Sequence, residues 1–208
     1  MSDSQKGIIW ATGAYVVWGV LPIYWKTLQH VPSAEILTSR VLWACLFTLL
    51  IVILMGNLST LRNDLIALWR NKKAFWSLFS ASFLITANWF LYIWAVNSSH
   101  MVETSLGYYI NPLVSVLLGI FFLKERLTKA QLAAFFIAAI GVLILTVSYG
   151  RFPWLAFALA LSFGLYGLMK KTIKLDALRG LTIETMFVLP FAIIFYVYLF
   201  INGEAVLF

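Results

Sequence analysis

The sequence predicts an all-α, polytopic membrane bundle with seven transmembrane helices. Three observations carry this. Only 11% of the 208 residues are charged, against 62% hydrophobic; a soluble domain carries about 25% charged residues. The apolar residues fall in runs of about 20, the length that crosses hydrocarbon as helix. Lysine and arginine concentrate in alternate connections, as in membrane chains of fixed orientation. A soluble single-core enzyme and a disordered chain are both excluded on this composition. The single cysteine, Cys45, excludes an internal disulfide. The net charge of +7 gathers in short loops and forms no basic face, so nucleic acid is not an expected partner.

The expected spans run roughly from Gly7 to Trp25, Glu35 to Met55, Ala74 to Val96, Val102 to Leu123, Lys129 to Ser148, Pro153 to Met169 and Leu181 to Ile201. Each must be helical, because lipid satisfies no backbone hydrogen bonds. The first run is too long for a signal-peptide core and holds Trp18 and Pro22, so it is read as a retained helix. Ser33 is placed to cap the second span. Between the second and third, Leu58, Leu61, Leu65, Leu68 and Trp69 recur at helical spacing with Arg62, Asp64 and Arg70 between them. This reads as a short amphipathic helix on the membrane surface. Thr128 and Gln131 have the spacing of a capping box for the fifth span. Pro153 suits the first turn of the sixth, where a missing N–H costs nothing.

One side of the predicted membrane holds Lys6, Arg62, Arg70, Lys72, Lys73, Lys124, Arg126, Lys129, Lys170, Lys171, Lys174 and Arg179; the other holds Lys26 and Arg151. The N-terminus is therefore expected in the cytoplasm and the C-terminus of this chain outside, in the periplasm of a bacterial host.

Polar groups inside hydrocarbon are costly, and each asks for a partner or a role. In the fourth span Glu103, Gly107, Asn111, Ser115 and Gly119 repeat every four residues and share one face. Tyr108 and Tyr109 flank this stripe, and Pro112 frees a carbonyl one turn earlier. The stripe either lines a watered cavity or lets helices pack closely. Arg40 lies about 8 Å inward of Glu35 along the second span. It is expected to pair with Glu35 or Glu103, both at helix starts on the same side. The alternative is a charge site that attracts an anion or relays a proton. Trp18, Asn88 and Tyr92 are candidate substrate-binding residues together with Arg40, Glu103, Tyr108 and Asn111. Trp10, Trp25, Trp76, Trp94 and Trp154 are expected as interfacial anchors. Glu184 is read as a first-turn carboxylate favouring the dipole of the seventh span. No motif for a metal, cofactor or catalytic nucleophile is present.

The stretch Glu103-Thr104-Ser105-Leu106-Gly107-Tyr108-Tyr109-Ile110-Asn111-Pro112-Leu113, followed by Lys124-Glu125-Arg126-Leu127, resembles the RarD-type branch of the EamA permeases of the drug/metabolite transporter superfamily. Trp18-Gly19, Pro22, Tyr24-Trp25-Lys26, Glu35 and Arg40 add to the likeness. It implies a multi-pass inner-membrane permease of ten helices, built as two five-helix inverted repeats around a central cavity. Residues 7–148 would form the first repeat, and 153–208 the first two helices of the second. The implied function is small-molecule transport by alternating access, with no enzymatic activity. The implied partners are a small-molecule substrate and the lipid bilayer, with a homodimer as the assembly that could complete a cavity between chains. A chain with two helices in its second repeat is expected not to transport alone, and to hold those two helices loosely. The alternatives are an inactive or non-transporting membrane subunit and a seven-helix receptor. The receptor reading conflicts with a cytoplasmic N-terminus and with the absence of a retinal-binding lysine in the seventh span.

Overall fold

A computed structural model describes residues 3–173 and 175–206. It contains eight helices: α1 Asp3–Thr27, α2 Ser33–Leu54, α3 Leu58–Arg70, α4 Lys72–Asn97, α5 Met101–Leu123, α6 Lys129–Tyr149, α7 Trp154–Lys171 and α8 Ala177–Ile201. The short α3 is the anticipated amphipathic helix. The remaining seven coincide with the seven expected spans, but among the described residues only six helices are long and apolar enough to cross a membrane. The exception is α7, whose 18 residues end in Lys170 and Lys171.

Local signals set several boundaries. Thr128 and Gln131 form the expected reciprocal capping box, satisfying two otherwise orphaned donors. Asp176 caps α8 by accepting from the Leu178 and Arg179 amides. Ser33 does not act as anticipated: Pro32 occupies the cap position of α2 and no side chain completes it.

The packing places α4 at the centre, touching α1, α2, α3, α5, α7 and α8. Helix α7 runs antiparallel to α4 and parallel to α5, and makes its closest seam with α5. This seam is built from small residues. A Cβ on Gly107 would sit 3.3 Å from the Ala156 carbonyl oxygen, and one on Gly164 would sit 3.0 Å from Leu118 Cδ1 and 3.1 Å from Val114 Cγ1. Leu106, Ile110, Ala156 and Ala160 fill the space between the two backbones. Small residues of this kind allow the close approach on which helix association in lipid depends. The glycine part of the α5 stripe therefore packs against protein and does not line a cavity. Helix α8 lies against α2, with Val41 meeting Val188 and Ala192. It also meets α4 through an aromatic ladder in which Phe187 and Phe191 set their rings 5.3–5.6 Å from those of Phe75, Phe79 and Phe83.

The expectation of a loosely held pair at the end of the chain is thus overturned: α7 and α8 are integral to the core. The peripheral helices are α1, in which Trp25 is the one buried residue among those described, and α6, which has none. Helix α1 touches the bundle through Leu21, Pro22 and Trp25 near its end. Helix α6 leans on α5 through Phe135, Ala139, Val142, Thr146 and Tyr149, its half-buried positions. The physical reason is that hydropathy does not distinguish a lipid-facing helix from a core helix. Small residues alone do not distinguish them either, since α1 and α6 carry as many glycines and alanines as α7; the difference is that Ala156, Ala160 and Gly164 of α7 meet α5.

Ion pairs tie the helix ends. At the lysine-rich end Arg179 Nε lies 2.7 Å from Asp64 Oδ2, and Lys171 pairs with Glu125. Lys174, one of the basic residues counted on this side, lies outside the described residues. At the opposite end the Val206 amide donates to Glu35 Oε1 at 2.8 Å, closing the chain after α8 onto the start of α2.

Candidate functional site

Four helices bring polar and aromatic side chains together at one level. Arg40 is seven residues into α2, Trp89 eight residues before the end of α4, Tyr108 seven into α5 and Trp18 nine before the end of α1. At 1.5 Å per residue all four lie roughly 10–14 Å inward from the lysine-poor end. The Arg40 guanidinium carbon sits 4.1 Å from the Trp89 ring centroid and 5.8 Å from that of Trp25. Both distances are within cation–π range. Tyr92 and Tyr108 are its electrostatic neighbours and contact each other edge to face at 5.9 Å. Trp18 tilts toward Tyr108 at 6.4 Å. Trp18 is 48% and Tyr108 50% exposed, so the cluster opens on its α1 side.

Arg40 is not paired as expected. Among the described residues neither Glu35 nor Glu103 forms an ion pair with it. Glu35 accepts the Val206 amide. Glu103, 2% exposed, accepts from the Tyr149 hydroxyl at 2.7 Å and from Arg151 Nη2 at 3.3 Å. Arg151 also donates to the Tyr149 oxygen from Nε at 2.9 Å, and this hydrogen bond raises its pKa. Glu103 thus bolts α5 to the α6–α7 turn. Pairing by proximity in sequence failed because the carboxylates at the two helix starts found donors in the returning chain.

The other candidates divide. Asn88 donates both amide hydrogens across to α7, to the Leu159 carbonyl and Ser162 Oγ, each at 2.9 Å. It fixes the antiparallel α4–α7 contact beside the cluster. Asn111 is half-buried one turn beyond Tyr108 and accepts a long hydrogen bond, 3.5 Å, from Ser115. Trp25, expected as an interfacial anchor, is buried at 6% exposure among Val31, Ile36, Ile93 and Val96. Ile36 and Arg40 lie one turn apart on α2, so the same face carries both the apolar cluster and the guanidinium. Trp89 and Trp25 were visible in the sequence as aromatic residues, but only their convergence marks them as the bed for Arg40.

A second polar cluster lies toward the lysine-rich end. Lys170 Nζ is 2.7 Å from Glu184 Oε1, and the Tyr166 hydroxyl donates to Glu184 Oε2 at 2.9 Å. Glu184, 2% exposed, stands two turns inside α8 and not in its first turn, because the helix begins at Ala177. Its charge is met by the end of α7 and not by the α8 dipole. The apolar grooves are elsewhere: about 810 Å³ between α2 and α8, lined by Leu42, Leu46, Leu49, Tyr196 and Phe200, and about 470 Å³ beneath α3, lined by Leu65, Trp69, Phe75 and Phe187.

Six helices among the described residues long and apolar enough to span a bilayer, four of them meeting in a partly open polar and aromatic cluster, define a multi-pass helical membrane protein. The comparisons with known proteins make the class specific. The profile of the EamA-like transporter family matches residues 5–147, and the chain belongs to that family. It is 46% identical over 192 residues to "Uncharacterized transporter YojE" of Bacillus subtilis, covering 92% of this chain and 64% of that protein. It is 41% identical over 193 residues to "Protein RarD" of Escherichia coli, covering 93% and 64%. It is 32% identical over 198 residues to "Chloramphenicol-sensitive protein RarD" of Pseudomonas aeruginosa, again covering 93% and 64%. The chain thus spans about 64% of the length of these relatives. No solved structure matches it.

Proposed function

We propose that this protein takes part in carrying a small molecule across the inner membrane, with the space bounded by α1, α2, α4 and α5 as part of the path. The observation that carries this reading is the open cluster of Trp18, Arg40, Tyr92 and Tyr108, held at one depth by four helices in a family of transporters. A polar cluster at that depth costs free energy unless it serves packing or a ligand, and this one is not consumed by packing. Asn88 and Glu103 bracket the site by fixing α7 and the α6–α7 turn, and Asn111 continues the polar surface deeper. The ion pairs at the two ends are the contacts that alternating access would break and remake in turn. The charge asymmetry favours a cytoplasmic lysine-rich end, with the cluster nearer the periplasm. Residues 7–148 and 153–208 are read as parts of two EamA repeats, whose helices interleave because α7 docks between α4 and α5.

The test is cysteine accessibility in a Cys45→Ala background, in sealed vesicles of known orientation. Tyr108→Cys should react with a membrane-impermeant maleimide applied from the lysine-poor side. Ile144→Cys, on the lipid-facing side of α6, should not. Equal silence at both positions would remove the water-filled path and the reading with it.

A further inference from the structure

We propose that the cluster around Arg40 is a binding site for an organic anion with a planar apolar body, such as an aromatic carboxylate. The proposal rests on the reading of this cluster as part of a transport path and names what the path would take. Arg40 lies with its guanidinium over the face of Trp89, at 4.1 Å. The guanidinium keeps its fork of in-plane N–H donors, the geometry that matches a carboxylate. Among the described residues none forms a hydrogen bond or an ion pair with those donors; the Tyr92 and Tyr108 hydroxyls are neighbours without a net charge. The two carboxylates nearest in the fold are committed elsewhere: Glu103 to Tyr149 and Arg151, and Glu35 to the Val206 amide. The cluster therefore carries a formal charge of one sign, uncompensated by any described residue, at a depth of about 10 Å where water is scarce. A cationic substrate would meet repulsion there, and a neutral one would leave the guanidinium unsatisfied. An anion completes it.

The apolar part follows from the walls. Trp18 and Tyr108 are each half exposed and 6.4 Å apart, and Tyr92 closes the corner edge-on to Tyr108. These rings present faces and edges to a flat guest beside the guanidinium. A small inorganic anion would use Arg40 and leave the rings bare, whereas a planar carboxylate uses both.

The experiment is calorimetric titration of the protein in nanodiscs of zwitterionic lipid, with empty nanodiscs as the blank. The probes are naphthalene-2-carboxylate, its neutral isostere naphthalene-2-carboxamide, and acetate. The carboxylate should bind about ten- to hundredfold more tightly than the carboxamide, the range expected for a charge-assisted hydrogen bond. It should also bind more tightly than acetate. Arg40→Gln should erase the preference for the carboxylate, and Arg40→Lys should restore only part of it. Should Arg40→Gln fail to fold, the probe series on the unaltered protein still decides. Equal binding of carboxylate and carboxamide, or binding of neither, would overturn the proposal. So would loss of carboxylate binding when one-fifth of the lipid is phosphatidylglycerol, because the headgroup would then be the natural occupant of Arg40. If Tyr108→Cys remains labelled while the carboxylate shows no preference, the proposal falls and the transport path stands. If Tyr108→Cys is silent, the path itself falls.

Discussion

Replacing Gly107 by alanine separates two contributions that a helix glycine usually combines. In isolation the change favours the helix, by about 0.5–1 kcal/mol, because alanine loses less backbone freedom on folding. At position 107 the new methyl would meet the Ala156 carbonyl oxygen at 3.3 Å, with Ala156 Cα and Leu159 Cβ each at 3.4 Å. Two of these three atoms belong to the α7 backbone, which cannot rotate aside as a side-chain end could. The helices must move apart by a few tenths of an ångström, and overpacking of this kind costs about 1–3 kcal/mol. The net expectation is destabilisation of up to about 2.5 kcal/mol. Gly141 in α6 provides the control, since a methyl there meets nothing within 4 Å; Gly141→Ala should stabilise by the propensity gain alone. Denaturant unfolding of both variants in the same detergent micelle measures the difference, about 1–3 kcal/mol, as the seam's contribution. Equal stability changes in the two variants would refute the close α5–α7 contact.

Asn88→Leu should cost about 1–2 kcal/mol in the same assay by removing both hydrogen bonds to α7, whereas Asn88→Gln should recover part of it if the longer amide still reaches Ser162. Glu184→Ala strands Lys170 in a largely buried site and should destabilise by about 2–4 kcal/mol, and the double variant Lys170→Met, Glu184→Leu should regain most of that loss. Asp64→Asn weakens a pair about one-fifth exposed on each side and should cost at most about 1 kcal/mol, a loss that shrinks as salt is raised. For orientation, an alkaline phosphatase reporter fused after Gly150 should be active in the periplasm and one fused after Leu127 inactive there; the reverse pattern would invert the map.

What was legible in the sequence was whatever is decided locally or by the solvent. The Thr128–Gln131 box closes over four residues, and α3 is shown by leucines at helical spacing. The helices are long and apolar because the bilayer requires it. Tertiary choices were not legible. Trp25 is equally apolar at an interface or in a core, and only the approach of Ile93 and Val96 from α4 decides for the core. Glu103 at a helix start could have met several cations, and Arg151 met it because the α6–α7 turn folds back across α5. The glycines and alanines of α7 do not mark it as a central helix in the sequence, because the peripheral α1 and α6 carry as many. Within the candidate site, Arg40, Tyr92 and Tyr108 were nameable from composition and depth alone. Their joint arrangement with Trp89 follows from how α2, α4 and α5 are rotated about their axes, which no local pattern encodes.

Helix α6 meets the rest of the protein through a single line of contacts, at Phe135, Ala139, Val142, Thr146 and Tyr149. The steps along that line are four, three, four and three, the rhythm that keeps one edge of a helix against a neighbour. Everything else on α6 faces away from protein. Natural selection can therefore inspect this helix through two narrow windows only: the shapes along that edge, and the total apolar length. Elsewhere on it one aliphatic residue should be as good as another, and lineages should drift freely among leucine, isoleucine, valine and phenylalanine. Beside it α5, squeezed between α6 and α7, has no such freedom. Two adjacent helices of similar composition would thus record ancestry at very different rates, and a substitution scan of α6 should show a ridge of sensitivity no wider than one residue.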